Sequence, residues 1–272
     1  MPGEAQRKQP EIEQGSAPKG AAKSTEAAKR VSQLIRDFYK RAQEAAHEGR
    51  PVAWCKVGFP QEPLVAMGIT SVFPENYSTI CAAKRANLPF LERAEGDGYA
   101  NYICSYARTT LGYASKMSET GKIPEEAPWG GLPKPSMFIG ATVCEPGMLW
   151  FHDLNRYEPA PSFVFDTSHP PPDVDNEDPG IKRRYIEHQK GQLRAFIEFL
   201  ERCTGQKMNW DRLREAVRIH HEARHYWHET HALRRAVPSP MPSIDMVSCI
   251  FPGYFMNGTQ EAADFYKSLY EE

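Results

Sequence analysis

The sequence predicts an α/β fold, a parallel sheet covered by helices and followed by a helical section. Two observations carry this. Short apolar runs alternate with helical segments through the first half of the chain, the sequence form of βαβ units. The second half then carries long stretches of three- and four-residue apolar repeat without further strand signals. The expected sheet is Rossmann-like or flavodoxin-like in arrangement.

Taken in order, residues 1–23 are rich in Pro, Gly, Ala, Gln, Lys and Glu and lack aromatics, so they read as a disordered leader. From Ser24 a helix is signalled by Val31, Leu34, Ile35, Phe38, Tyr39 and Ala42, and Gly49-Arg50-Pro51 ends it. Val52-Ala53-Trp54-Cys55 is a strand, Glu62 to Met67 a short helix, and Ile69 to Phe73 a second strand closed by Pro74. Met137 to Ala141 and Ser162 to Phe165 repeat the pattern around a helix near Met148 to Tyr157. Pro170-Pro171-Pro172 and the acidic run Asp173, Asp175, Glu177, Asp178 read as an exposed linker. Helices are expected from Ile181 to Cys203, from Trp210 to Ala236 and from Thr259 onward, with Pro238, Pro240 and Pro242 between the last two. The expected division is a leader at 1–23, an α/β domain at 24–168, a linker at 169–180 and a helical section at 181–272 that leads toward a further α/β domain.

A chain of 272 residues buries a sizeable core. Its 33 basic and 35 acidic residues nearly balance, which supplies no electrostatic reason for nucleic acid or an anionic membrane as partner. No apolar run approaches the roughly 18–20 residues of a membrane span, and the start lacks the apolar stretch of a signal peptide. The expected location is the cytoplasm, where the six cysteines (Cys55, Cys81, Cys104, Cys144, Cys203 and Cys249) stay reduced and free for metal or catalysis.

Two motifs compete for the chemistry. His221-Glu222-Ala223-Arg224-His225 satisfies H-E-x-x-H, in which two histidines one turn apart bind zinc and the glutamate is general base. The extended form requires a glycine where His228 stands, and without that turn His225 and His231 lie on different faces of the helix. His221, His225 and His228 do share a face, so a zinc hydrolase remains a distant alternative beside a solvated, His-rich helix.

The second is a set of thiols. Cys81, Cys104 and Cys144 are 23 and 40 residues apart, a spacing that by itself fits buried core cysteines as well as ligands. Cys81 and Cys144 are expected just beyond the carboxyl ends of strands, the edge where α/β folds build their sites. Around them run Pro60-Gln61-Glu62-Pro63-Leu64-Val65-Ala66-Met67-Gly68-Ile69, Val72-Phe73-Pro74-Glu75-Asn76, Gly98-Tyr99, Cys104-Ser105-Tyr106-Ala107-Arg108 and Leu132-Pro133-Lys134-Pro135. In that order these motifs resemble the 2-hydroxyacyl-CoA dehydratase and class I benzoyl-CoA reductase family, especially its cluster-bearing reductase subunit. The resemblance covers most of residues 24–168.

The resemblance implies a [4Fe-4S] cluster on Cys81, Cys104 and Cys144. Three thiolates would leave one iron open to a substrate oxygen, which suits chemistry more than passive electron transfer. It further implies a homologous cluster-bearing partner subunit in a heterodimer, a separate ATP-hydrolysing activator that delivers the electron, and an acyl-CoA thioester as substrate. No Walker-type phosphate loop is present, in keeping with ATP use on the activator. Reduction of an aromatic acyl-CoA such as benzoyl-CoA is the expected reaction, with 2-hydroxyacyl-CoA dehydration as the alternative and a non-catalytic electron-relay or assembly subunit as another. Glu62 is a candidate proton donor or acceptor, weighed against an exposed first-turn glutamate held by the helix dipole. Arg108 is read as anchoring a structural carboxylate in preference to meeting a CoA phosphate, and Cys55 as a core thiol in preference to one that approaches the site.

Overall fold

A computed structural model describes residues 24–167 and 178–272. The expected leader and most of the expected linker, with the proline run and the acids before Asp178, lie outside the described residues. The first helix, α1 (Glu26–His47), is capped by Thr25, whose side chain accepts from the Ala28 amide. It buries Val31, Phe38, Tyr39 and Ala42, the face its repeat predicts. Strand β1 (Val52–Cys55) follows, then α2 (Glu62–Met67), closed by Gly68 in the left-handed conformation, and β2 (Thr70–Val72).

Between β2 and the next strand, where the sequence reading placed no element, the crossover carries three helices: α3 (Pro74–Ala83), α4 (Leu88–Gly96) and α5 (Ser105–Thr120). Strand β3 (Met137–Ala141), helix α6 (Glu145–Asp153) and strand β4 (Ser162–Phe165) complete the sheet. All pairings are parallel in the order β2-β1-β3-β4, with Trp54 beside Val72 on one side and Phe138 on the other. Strands β1 and β3 are buried throughout, as interior strands covered on both faces must be. Since the chain leaves β1 toward β2 and leaves β3 toward β4, in opposite directions, the sheet has its topological switch point between β1 and β3.

The helical section comprises α7 (Pro179–Thr204), α8 (Trp210–Leu233), the short α9 (Ser243–Ser248) and α10 (Phe251–Phe255), and α11 (Gln260–Glu271). Asp178 caps α7 by accepting from the Gly180 and Ile181 amides, and Asn209 caps α8 in the same way. α8 ends three residues before the expected Ala236, in turns where the Arg234 side chain bonds the Met241 carbonyl. Phe196 of α7 packs against Phe59, Phe163 and Phe165, so the helical section shares one core with the sheet. No helix among the described residues is long and apolar enough to cross a membrane.

Helices α4 and α5 approach so closely that a Cβ on Gly112 would stand 1.8 Å from the Phe90 carbonyl oxygen. Backbone cannot yield as a flexible side chain can. Gly112→Ala is therefore expected to destabilise the protein by about 1–3 kcal/mol or more, measured by urea denaturation, whereas Gly96→Ala, with open space around it, should be near neutral.

Candidate functional site

The carboxyl end of β1 delivers Lys56 to the switch point, and the loop after β3 delivers Cys144, which immediately precedes α6. The Lys56 side chain is only 4% exposed. Its ammonium donates to Glu75 in the first turn of α3 at 2.5 Å and lies 5.6 Å from the centre of the Trp150 ring. Gly147 fits tightly between two of these groups. A Cβ there would stand 2.8 Å from Lys56 Cε and 3.0 Å from Cys144 Sγ, so amine stem and thiol share one small space. Lys56 and Trp150 carry no motif signal in the sequence, and Glu75 stands out only as part of the Pro74-Glu75-Asn76 run. Lys56 and Glu75 are 19 residues apart, joined only by the β1–β2 crossover.

The three proposed cluster thiols sit in different settings. Cys104, half-buried, precedes α5, and Cys144, exposed, precedes α6; these two helices pack together. Cys81 was expected at a strand edge but lies in the last turns of α3 with no solvent exposure. Pro74, suited to a helix's first turn, starts α3 immediately after the strand, and two further turns carry the cysteine inward. Its thiol lies among Tyr39, Tyr77 and Tyr113, and burial pushes it up to about 12 against a hydrogen bond with Tyr77 that acts the other way. Iron–sulfur ligation takes thiolates. By access, Cys104 and Cys144 suit such a group; Cys81, buried with its thiol pushed up, does not as packed. Among the described residues no three His, Cys, Asp or Glu side chains gather where they would hold a metal ion.

That result extends to α8. His221, His225 and His228 are exposed, and Glu222 is engaged by Arg218. The zinc reading has no gathered ligand set among the described residues.

Glu62, at the start of α2, is buried and pairs with Nδ1 of His220 on α8, a partner 158 residues away that no local pattern announces. Burial raises the carboxyl, yet the His220 contact and backbone amides outweigh it and hold Glu62 below the ordinary glutamate range. A carboxyl depressed on folding stabilises the fold above its unfolded pKa, and that contribution is lost as pH falls through the folded value. Glu62→Gln is accordingly expected to cost about 1–3 kcal/mol at neutral pH. The gap from wild type should close only below the ordinary glutamate range; thermal melts across acidic pH check it. Arg108 pairs with Glu95 and donates to the Ile103 carbonyl, the structural anchoring expected of it. Cys55 is a fully buried core thiol that burial pushes well up.

The family model described as 2-hydroxyglutaryl-CoA dehydratase, D-component, matches residues 56–272. The chain belongs to this family. Among its relatives, the (R)-2-hydroxyisocaproyl-CoA dehydratase alpha subunit of Clostridioides difficile is 29% identical over 89% of this chain and 56% of that protein. The (R)-phenyllactyl-CoA dehydratase alpha subunit of Clostridium sporogenes is 28% identical over 85% of this chain and 54% of its own length. The lactoyl-CoA dehydratase subunit alpha of Anaerotignum propionicum is 27% identical over 80% and 53%. The chain thus spans about half the length of these 2-hydroxyacyl-CoA dehydratase relatives. All three names are dehydratases, which favours the dehydration alternative over the benzoyl-CoA reduction expected from the motif wording.

Proposed function

We propose that the chain is part of a 2-hydroxyacyl-CoA dehydratase, which removes water from a 2-hydroxyacyl-CoA thioester to leave the 2-enoyl-CoA. The family match over residues 56–272 is the observation that carries this reading. The relatives named above are alpha subunits, which supports a partner subunit for this chain; a separate ATP-hydrolysing activator belongs to the same proposal through the resemblance. Incubating the chain anaerobically with its partner subunit, activator, ATP and a 2-hydroxyacyl-CoA should yield 2-enoyl-CoA by mass spectrometry. Turnover of benzoyl-CoA without any dehydration would replace the reading with the reductive one.

The [4Fe-4S] cluster is part of the proposal. When bound it would supply low-potential electron transfer at the acyl thioester, and Cys104 and Cys144 are the accessible thiols placed at neighbouring helix starts. Anaerobic purification is expected to give about four irons and matching sulfide per chain, lost in Cys104→Ala and in Cys144→Ala. The parallel Cys81→Ala variant decides whether that thiol leaves the core to bind iron or stays as packing. Stoichiometric zinc without iron would overturn the cluster.

A further inference from the structure

Between α5 and α6, on the same edge of the sheet, lies a cavity of about 390 Å³, within the size range of small-molecule sites. Tyr99, Ile103, Ala107, Leu111, Leu149 and Trp150 supply much of its wall. The lining adjoins two of the thiols in sequence: Ile103 immediately precedes Cys104, and Glu145, also a lining residue, immediately follows Cys144.

Two features give the cavity a chemical preference. Its wall is predominantly apolar, so an inserted hydrocarbon group gains the usual transfer free energy. Its charged lining residues are Glu145 and Asp153, and no basic side chain lines it among the described residues. Lys56 lies on the Trp150 ring and is held by Glu75, while Arg156 bonds the Tyr99 hydroxyl; neither is a lining residue.

We infer that this cavity receives the uncharged apolar side chain of an acyl thioester and that it rejects acyl groups ending in a carboxylate. The inference rests on the dehydratase reading and deepens it. A terminal carboxylate would enter an apolar wall between two acids with no cation to pair with, and desolvating it there is unfavourable. Aromatic and branched aliphatic acyl groups meet no such penalty.

Calorimetric titration of the chain with 3-phenylpropionyl-CoA and with glutaryl-CoA tests this. The aromatic thioester is expected to bind at least about tenfold more tightly, a difference of about 1.4 kcal/mol. Ala100→Trp, which fills the space from the loop before α5, should remove most of that binding with the melting temperature unchanged. Leu149→Glu, at a 69% exposed position whose substitution leaves the core intact, should weaken the aromatic ligand as well. Glu145→Gln with Asp153→Asn should narrow the gap between the two thioesters. Equal binding of both thioesters, or firm aromatic binding that neither Ala100→Trp nor Leu149→Glu reduces, would overturn the cavity assignment while leaving the dehydratase reading standing. Absence of binding by either thioester to the unaltered chain would likewise overturn the cavity assignment, whereas the dehydratase reading is decided by the turnover assay with partner subunit and activator.

Discussion

Trp54→Ala is expected to lower the stability of the protein by about 3–5 kcal/mol. Trp54 lies in β1, an interior strand, without solvent exposure, and its ring meets Tyr113 at 6.1 Å and Phe138 at 6.0 Å between centroids. Its indole N–H donates to the Pro133 carbonyl at 2.9 Å, tying β1 to the segment that leads into β3. Truncation therefore opens a large void at the middle of the sheet and strands a buried acceptor. Trp54→Phe retains most of the volume and loses only the hydrogen bond, so its cost should be clearly smaller. Urea denaturation of the two variants separates these contributions, and a Trp54→Ala loss below about 1 kcal/mol would contradict the packing described.

Glu75→Ala should produce a loss of similar size, about 3–5 kcal/mol, for an electrostatic reason. Lys56 is almost wholly buried and Glu75 is its carboxylate partner, so removing the acid leaves an ammonium out of water beside the face of Trp150. The diagnostic experiment is the double variant Lys56→Met with Glu75→Ala, in which an apolar side chain of comparable length replaces the buried charge. It is expected to be more stable than Glu75→Ala alone, because a buried pair contributes little net stability while an unpaired buried charge is strongly unfavourable. Equal stability of the single and double variants would show that Lys56 reaches water by another route.

How much of this was legible beforehand depended on how local each signal was. β1 and β3 stand out because every residue in Val52–Cys55 and Met137–Ala141 is buried, leaving an unbroken apolar run. α1 was readable from its repeat because one face meets the core. Helices α3 to α5 were not, since α5 buries Thr109, Thr110, Gly112 and Ser115 beside its apolar residues, which blurs the periodic pattern. Cys81 looks like a residue just beyond a strand because Pro74 after an apolar run resembles a strand end, yet proline equally suits the first turn of the helix that carries the cysteine inward. Glu62 was correctly located at a helix start, but its His220 partner is set by the docking of α8 on α2, which depends on the whole fold. Lys56 and Glu75 carry ordinary surface-residue identities, and their burial follows from the parallel crossover that folds them onto one another.

Gly147 gives this arrangement a consequence for how the protein can change over generations. Because its missing side chain is the room used by both Lys56 Cε and Cys144 Sγ, the three positions are sterically coupled. A bulkier residue at 147 is compatible only with shorter or redirected side chains at 56 and 144. Lineages that keep lysine and cysteine there should keep glycine, and those that lose it should show paired replacements, a covariation visible in any sufficiently deep set of relatives.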